Sequence, residues 1–264
     1  MIDRSDTFAV RVVGMALCLT LLSAAASAQS ESPLQPSLGS VDDNQGADVL
    51  GAFKDSLRLL MIEHSSRIIF QEKTRKMLGG NFFVDYKNSV RWPGQWGDGD
   101  AWYVNYVGHP IHGAAAGYIW LDHERGDPAN ISLGRNYWVS RAKAMAFVAS
   151  YSLQFEIGPV SEASIGNVGM DPRTTGWVDH VVTPLGAFGL IVAEDALDKF
   201  LVQWIERHTT NQAARASLRV VFNPGRALAN GASGRAPWFR PDRPLDAPNS
   251  NGSEQRATLG RRSR

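Results

Sequence analysis

Imidazole and carboxylate side chains recur inside or beside segments of this chain that carry little charge. Asn105 and His109 lie in a run of 21 residues that contains no Asp, Glu, Lys or Arg. Glu156 ends a second charge-poor segment, and Asp179 precedes a third. Burying a polar group costs roughly 1–3 kcal/mol unless it is hydrogen-bonded. If the three segments pack together, we expect these side chains to converge on one carboxylate–imidazole cluster.

The chemistry that such a cluster favours is general acid–base catalysis. A histidine in a closed site can act as the base, with a carboxylate orienting its ring. The candidate catalytic residues are therefore His109, Glu156 and Asp179, with His109 as base and Asp179 as orienting acid. The sequence lacks a G-x-S-x-G nucleophile motif, a phosphate-binding loop and a dinucleotide fingerprint. These residues indicate a hydrolase or transferase without specifying its substrate.

Metal binding is a second interpretation of the same residues. His109 and His112 are three residues apart, and Glu156 and the pair Asp179-His180 offer further ligands. However, the chain has neither a His-Glu-x-x-His motif nor a cysteine set, so the spacing matches no common metal site. We therefore expect no cofactor, and the sequence identifies no metal.

A third interpretation is that the cluster only fixes how helices pack. Asn105, His109, Glu156, Asp179 and Thr183 would then satisfy one another and the ends of the helices. The sequence favours this interpretation, which describes a non-catalytic helical component at a membrane surface. A hydrolase or transferase of the cell envelope is the alternative.

The elements that would position these residues are helices. Apolar residues recur at helical spacing, and His109-Pro110 and Thr183-Pro184 each place a proline after a residue able to cap a helix. The segment 81–100 is predicted to be a loop, with a short strand at 82–84. The sequence thus predicts a compact all-α bundle of four or five helices over residues 51–225. The helices are expected at 51–78, from 109 or 110 to 122, at 137–156, and from 183 or 184 to 208.

The first 28 residues have the features of a signal peptide. Arg4 and Arg11 precede an apolar core that is too short to span a bilayer well, and Ala-Ser-Ala precedes Gln29. We expect export to the periplasm or the membrane-associated cell envelope, followed by a flexible polar linker at 29–50. The only cysteine, Cys18, lies in the leader, so the mature chain has no disulfide or thiolate metal site.

Charge is distributed unevenly along the mature chain. Residues 29–211 contain 15 Lys and Arg against 21 Asp and Glu, whereas residues 212–264 contain ten Arg and three acids. We expect residues 226–264 to form a disordered Arg/Pro-rich tail. Its partner would be anionic lipid or another anionic envelope surface, while the acidic body argues against nucleic acid. The oligomeric state stays open.

The order of the motifs between about residues 97 and 200 resembles an uncharacterised bacterial envelope family, known only as a domain of unknown function. The resemblance implies an exported, helix-rich protein in which the polar cluster is a family feature, and it implies no activity. The motifs are N-x3-H-P-x2-G (Asn105, His109, Pro110, Gly113), S-x3-E (Ser152, Glu156) and D-x3-T-P-x-G (Asp179, Thr183, Pro184, Gly186), with an acid at Glu194.

Two features depart from that family pattern. Ala187 stands where a second glycine would follow Gly186, and the second helix ends in Phe-Glu-Ile-Gly-Pro-Val-Ser-Glu instead of an aromatic–Glu pair. Either Glu156 or Glu162 therefore matches the acid of the family.

Overall fold

The structure, a computed structural model, describes most of the chain between residues 47 and 245 and divides it into two compact units, 47–194 and 195–245. The sequence predicted one domain over 51–225. The predicted signal peptide, the linker up to residue 46 and the last part of the predicted tail lie outside the described residues. Those described are 47–70, 72–78, 81–90, 93–124, 131, 133–165 and 174–245.

The described residues are helical apart from turns, loops and one isolated parallel bridge between Gln95 and Gly176, which confirms the all-α class. The helices of the first unit are α1 (Val49–Phe70), α2 (Glu72–Met77), α3 (Phe82–Ser89), α4 (His109–His123), α5 (Arg135–Ile157) and α6 (Val178–Leu197), the last of which ends just beyond the division. The described helices therefore outnumber the predicted four or five.

Helix α4 lies at the centre of the first unit, which explains why it carries no charged residue before Asp122. It packs against α1 and α5, and its glycines meet α6. A Cβ atom on Gly113 would lie 2.9 Å from side-chain atoms of Thr183 and Ala187, and one on Gly117 would lie 2.5 Å from Ile191. Two glycines four residues apart remove bulk from one face of a helix, so the sequence predicts that another helix approaches closely there, and the structure confirms this contact. No helix in the described part of the chain is both long enough and apolar enough to cross a bilayer.

The predicted capping roles of His109 and Thr183 are wrong. A π-helical turn, Val104–Gly108, runs directly into α4, so His109 is already helical and its backbone N–H bonds to the Val104 carbonyl. Helix α6 begins at Val178 and contains Pro184 within it. The backbone N–H groups of Trp177 and Val178 donate to the carbonyls of Gln95 and Trp96, 3.0 and 2.9 Å away. This distant loop supplies hydrogen-bond acceptors for the backbone N–H groups at the start of α6, and the local sequence does not reveal that contact.

The segment predicted as a loop with a strand at 82–84 contains α3 instead. The Asn81 side chain caps α3 by accepting a hydrogen bond from the Val84 backbone N–H at 3.4 Å. The rings of Phe82 and Tyr86, four residues apart, stack with centroids 5.9 Å from each other. Asparagine is among the best helix caps, and an i,i+4 aromatic pair supports a helix, so these local contacts outweigh the β-propensity of the Phe-Phe-Val triplet.

The second unit shows that the predicted disorder of 226–264 is wrong for its first twenty residues. The unit contains a π-helical turn (Asp198–Val202) and helices α7 (Gln203–His208), α8 (Gln212–Phe222) and α9 (Pro224–Ala232). Arg243 pairs with both Asp198 and Glu206, and Arg219 pairs with Glu206 at 2.5 Å. These arginines neutralise buried acids of the same unit, which binds residues up to 245 into the fold.

Candidate functional site

The three predicted site residues meet at one place in the first unit. His109 begins α4, Glu156 lies in the last turn of α5, and Asp179 lies in the first turn of α6. Each residue is at most 5% exposed, and their ligand atoms all lie within 4.8 Å of one another. The structure therefore confirms the convergence that the charge-poor segments predicted. We call this group the cluster.

The imidazole of His109 is held between two residues of α6. Its Nδ1 lies 3.2 Å from the Thr183 hydroxyl, and its Nε2 lies 3.4 Å from Asp179 Oδ1. Burial lowers the pKa of His109 to about 4, although the nearby Glu162 carboxylate opposes that shift. The ring is therefore neutral near pH 7, and the Thr183 hydroxyl fixes its orientation.

The two carboxyl groups of the cluster lie in surroundings that disfavour their charge. Burial, followed by repulsion from Asp98, raises the pKa of Asp179 to about 9. Burial, followed by repulsion from Glu162 and Asp179, raises the pKa of Glu156 well above its ordinary value. Glu156 Oε1 and Asp179 Oδ1 have no hydrogen-bond partner among the described residues. The cluster is therefore acidic and not fully satisfied by its own side chains.

Asp98 is a neighbour of the cluster that the sequence analysis missed. It accepts hydrogen bonds from Asn105 Nδ2 at 2.7 Å and from the Asp100 backbone N–H at 3.1 Å. Burial raises the pKa of Asp98, but these hydrogen bonds outweigh that effect and lower it below its ordinary value. The only local signal that Asp98 would lie beside the cluster was its position in a Gly-rich stretch, seven residues before Asn105.

The loop that carries Asp98 is tied to the start of α6 by a close backbone contact. Gln95 and Gly176 form the parallel bridge, and a Cβ atom on Gly176 would lie 2.5 Å from the carbonyl carbon of Gly97. Position 176 therefore needs a residue without a side chain. This contact keeps Asp98 beside Asp179.

The structure distinguishes Glu156 from Glu162, which the sequence could not. Glu156 belongs to the cluster, whereas Glu162 forms an ion pair with Arg67 of α1. The side chains of Arg67 and Glu162 are only 12% and 4% exposed, and the guanidinium carbon lies 5.2 Å from the centre of the Phe155 ring. No apolar pattern in α1 singled out Arg67 as a partner for Glu162.

His112 does not join His109 in one ligand set. Its Nδ1 faces Glu63 Oε1 at 3.3 Å, and Glu63 also accepts a hydrogen bond of 2.7 Å from the Tyr151 hydroxyl. Burial raises the pKa of Glu63 to about 8 and lowers that of His112 well below its ordinary value. Glu63, His112 and Tyr151 thus form a second polar group beside the cluster. Within the described part of the chain, the group with the spacing to hold a metal ion is His109, Glu156 and Asp179.

Two adjoining cavities reach this part of the unit. A small polar cavity of about 10 Å³ is lined by Asp98, Glu156 and Asp179, among others. That volume is close to the minimum that holds one water molecule. A larger apolar pocket of about 370 Å³ is lined mainly by Val90, Ala149, Leu153 and Trp177. Pro93, Ile157 and His180 line both cavities, so the apolar pocket adjoins the acidic one.

Comparisons of the chain with family models, with curated proteins and with solved structures found no match. The resemblance of its motifs to an envelope family therefore stays a prediction, and the geometry of the cluster is the basis for its function.

Proposed function

We propose that the first unit is an exported hydrolase or transferase, with the His109–Glu156–Asp179 cluster activating a water molecule or a similar small nucleophile. The observation that carries this proposal is the pairing of the two cavities. A space large enough for one water lies against three carboxyl groups, and an apolar pocket of about 370 Å³ adjoins it. Enzyme sites commonly combine an apolar pocket with a few convergent polar groups.

The arrangement supports a hydrolysis in which protons are balanced within the cluster. One basic group takes a proton from the water as the water oxygen bonds to the electrophilic carbon of the substrate. A neighbouring protonated carboxyl donates a proton to the leaving group as its bond breaks, and one water is consumed. Asp98, Glu156, Asp179 and His109 supply these groups within one buried site.

The walls of the cavities also indicate the kind of substrate. The ionised Asp98 carboxylate lines the polar cavity and would repel an anionic group, so the reacting bond should belong to an uncharged ester or amide. The apolar pocket would take the hydrocarbon part of the molecule, with His180, which lines both cavities, at its acidic end and Trp177 beside His180. The rings of these two residues pack edge to face, with centroids 6.0 Å apart.

The unpaired oxygens favour this proposal over a role in packing alone. Buried polar groups that serve only to fix a fold are usually hydrogen-bonded. Glu156 Oε1 lacks such a partner among the described residues, and Asp179 Oδ1 faces His109 Nε2 at 3.4 Å without forming a hydrogen bond, although both residues are buried. A ligand or a reacting molecule would supply what the protein does not.

Hydrolysis of p-nitrophenyl esters with short, medium and long acyl chains tests the proposal. The wild-type protein should release nitrophenol, with a preference among chain lengths that reflects the pocket. Asp179→Asn and His109→Gln should each reduce kcat/KM by roughly 100-fold or more, the usual contribution of acid–base catalysis. Glu72→Gln, an exposed change on α2, is the matched control. The proposal would be refuted if every ester released nitrophenol no faster than in buffer alone, or if all variants hydrolysed the esters at equal rates.

A non-catalytic component at a membrane surface is the second candidate, and one observation favours it. Trp96, Trp102 and Tyr106 are 51%, 69% and 49% exposed, close together in sequence before α4. Aromatic rings with a polar edge prefer the interface between water and lipid. Co-sedimentation with phosphatidylcholine vesicles measures this affinity. Binding that survives high salt and falls in Trp102→Ser would support a membrane role, and absence of binding would remove it.

Export and a basic tail remain part of the proposal. The mature protein should begin at Gln29, and mass spectrometry of the native protein would show instead a start at Met1 if it is not exported.

Any affinity for anionic lipid should come from the arginines after residue 245, because Arg219, Arg240 and Arg243 pair with acids inside the second unit. A chain ending at Leu245 should therefore lose salt-sensitive binding to anionic vesicles. Unchanged binding would place the contact elsewhere.

A further inference from the structure

We propose that the cluster binds one divalent cation of the first transition series, with His109 Nε2 and one carboxylate oxygen each from Glu156 and Asp179 as protein ligands. The role of the cation rests on the proposed hydrolase function, but its binding does not. Zn²⁺ and Mn²⁺ are the probes that represent this class.

The spacing of the ligand atoms fits a single ion after a small movement. Zinc binds imidazole nitrogen and carboxylate oxygen at about 2.0–2.2 Å, so two ligands on opposite sides of one ion lie at most roughly 4.4 Å apart. The ligand atoms of His109, Glu156 and Asp179 already lie within 4.8 Å of one another. The three residues come from three different helices, which hold this spacing without any loop movement.

The buried, unpaired oxygens are the second observation, and they point to a ligand at this place. Glu156 and Asp179 are each 5% exposed, and Glu156 Oε1 and Asp179 Oδ1 have no hydrogen-bond partner among the described residues. Carboxyl groups buried without compensation are costly, and a cation between them removes that cost. Asp179 Oδ1 faces His109 Nε2 at 3.4 Å without forming a hydrogen bond, and a packing network would also direct Glu156 Oε1 to a donor.

The residues around the cluster suit a metal site as well. The Thr183 hydroxyl lies 3.2 Å from His109 Nδ1, which leaves Nε2 facing the carboxyl groups. Ligand histidines usually have such a contact at the second ring nitrogen, because it fixes the orientation of the ring. Asn105 holds Asp98 beside the cluster through a hydrogen bond of 2.7 Å. The adjoining polar cavity has room for one water on the open side of the ion.

The donor set selects the class of cation. One imidazole with two carboxylates suits Zn²⁺, Mn²⁺ or Fe²⁺, whereas Mg²⁺ and Ca²⁺ prefer oxygen ligands alone. No cysteine occurs outside the first 28 residues, so soft ions that need thiolates are not favoured. Three protein ligands leave a position for water, the arrangement of a catalytic site rather than a structural one. In the proposed hydrolase the ion would lower the pKa of that water, Glu156 and Asp179 would be bound as carboxylates, and Asp98 at the same cavity would carry the proton from the water to the leaving group.

The test uses the full exported chain, stripped of metal with a chelator and then dialysed. Isothermal titration with Zn²⁺ or Mn²⁺ should show one ion per chain, elemental analysis should confirm the ratio, and the melting temperature should rise with the ion. Mg²⁺ and Ca²⁺ should bind more weakly. His109→Gln, Glu156→Gln and Asp179→Asn should each abolish stoichiometric binding, and Thr183→Val should weaken it by roughly 10–100-fold.

Glu63→Gln and His112→Gln are the matched controls, because they change a buried acid and a buried imidazole next to the cluster. Both should keep one ion per chain. Wild-type protein that binds no Zn²⁺ or Mn²⁺, or ligand variants that bind as the wild type does, would overturn the proposal, as would equal loss in the controls. Circular dichroism identifies any variant that fails to fold. Glu156→Gln and Asp179→Asn preserve the shape of the side chain they replace, so their metal binding then decides whether the proposal stands.

The same samples separate this inference from the proposed function. Stoichiometric metal binding without ester hydrolysis would contradict the hydrolase and leave the metal site standing. Full hydrolysis by stripped protein in the presence of a chelator would contradict a catalytic role for the ion and leave the hydrolase standing, while the titration decides whether the ion binds.

Discussion

Glu206→Leu should destabilise the second unit by about 3–5 kcal/mol, the usual cost of removing one partner of a buried ion pair. Glu206 is 4% exposed and accepts from both Arg219, at 2.5 and 3.2 Å, and Arg243, at 2.7 Å. Leucine leaves the Arg219 guanidinium, whose side chain is 1% exposed, without a carboxylate. An unpaired buried charge is more costly than the pair was favourable. Urea denaturation followed by circular dichroism measures the change.

Asp242→Asn is the control for that change. Asp242 also pairs with Arg243, at 3.1 Å, but its side chain is 49% exposed. Exposed pairs contribute about 0–1 kcal/mol, so this variant should unfold close to wild type. Equal effects of the two substitutions would show that Glu206 is solvated rather than buried.

Arg67→Met should be the most damaging single change in the first unit, again by about 3–5 kcal/mol. The substitution removes the cation that faces Glu162, whose side chain is 4% exposed, and loses the contact between the guanidinium and Phe155. Methionine keeps most of the length and the apolar stem, so the lost charge dominates the effect. Thermal melting and urea denaturation give the difference in unfolding free energy.

Glu162→Met combined with Arg67→Met identifies the cause. Replacing both members of a buried pair with apolar side chains is often neutral, because no charge is left alone. The double variant should therefore be more stable than Arg67→Met. A double variant as unstable as the sum of the single ones would show that packing against Phe155, and not the charge, is what Arg67 supplies.

The convergence of His109, Glu156 and Asp179 could be predicted from the sequence for a simple physical reason. Polar residues in charge-poor helices must find partners, and helices that share a core bring those residues together. Gly113 and Gly117 likewise showed where α4 meets a neighbour. Each of these inferences depends on a pattern within one helix, and such patterns are visible in the chain.

Asp98 and the pairing of Arg67 with Glu162 could not be predicted in the same way. Asp98 reaches the cluster because a backbone bridge from Gln95 to Gly176 joins segments about eighty residues apart. Arg67 and Glu162 look like ordinary surface charges until α1 and the segment after α5 are packed together. Contacts between distant segments decide such pairings, and no local spacing encodes them.

The errors at helix ends and in the Arg-rich segment have the same origin. Thr183-Pro184 has the composition of a helix start, but hydrogen bonds from residues 177 and 178 to a distant loop begin α6 earlier. The arginines of residues 226–264 have the composition of a solvated tail, but Arg240 pairs with Asp198, and Arg243 pairs with Asp198 and Glu206. Composition shows how many charges a segment has and not which acids they meet.

The stability of metal-free Glu156→Met, measured by urea denaturation beside metal-free wild type, distinguishes a functional centre from a packing network most directly. In a functional centre the buried carboxyl of Glu156 destabilises the folded state, so methionine at this position should leave the unfolding free energy unchanged or raise it. In a packing network Glu156 is a partner that other groups need, and its loss should lower the unfolding free energy by roughly 1–3 kcal/mol. An increase or no change is the result that the proposed function predicts, and a loss of that size would contradict it.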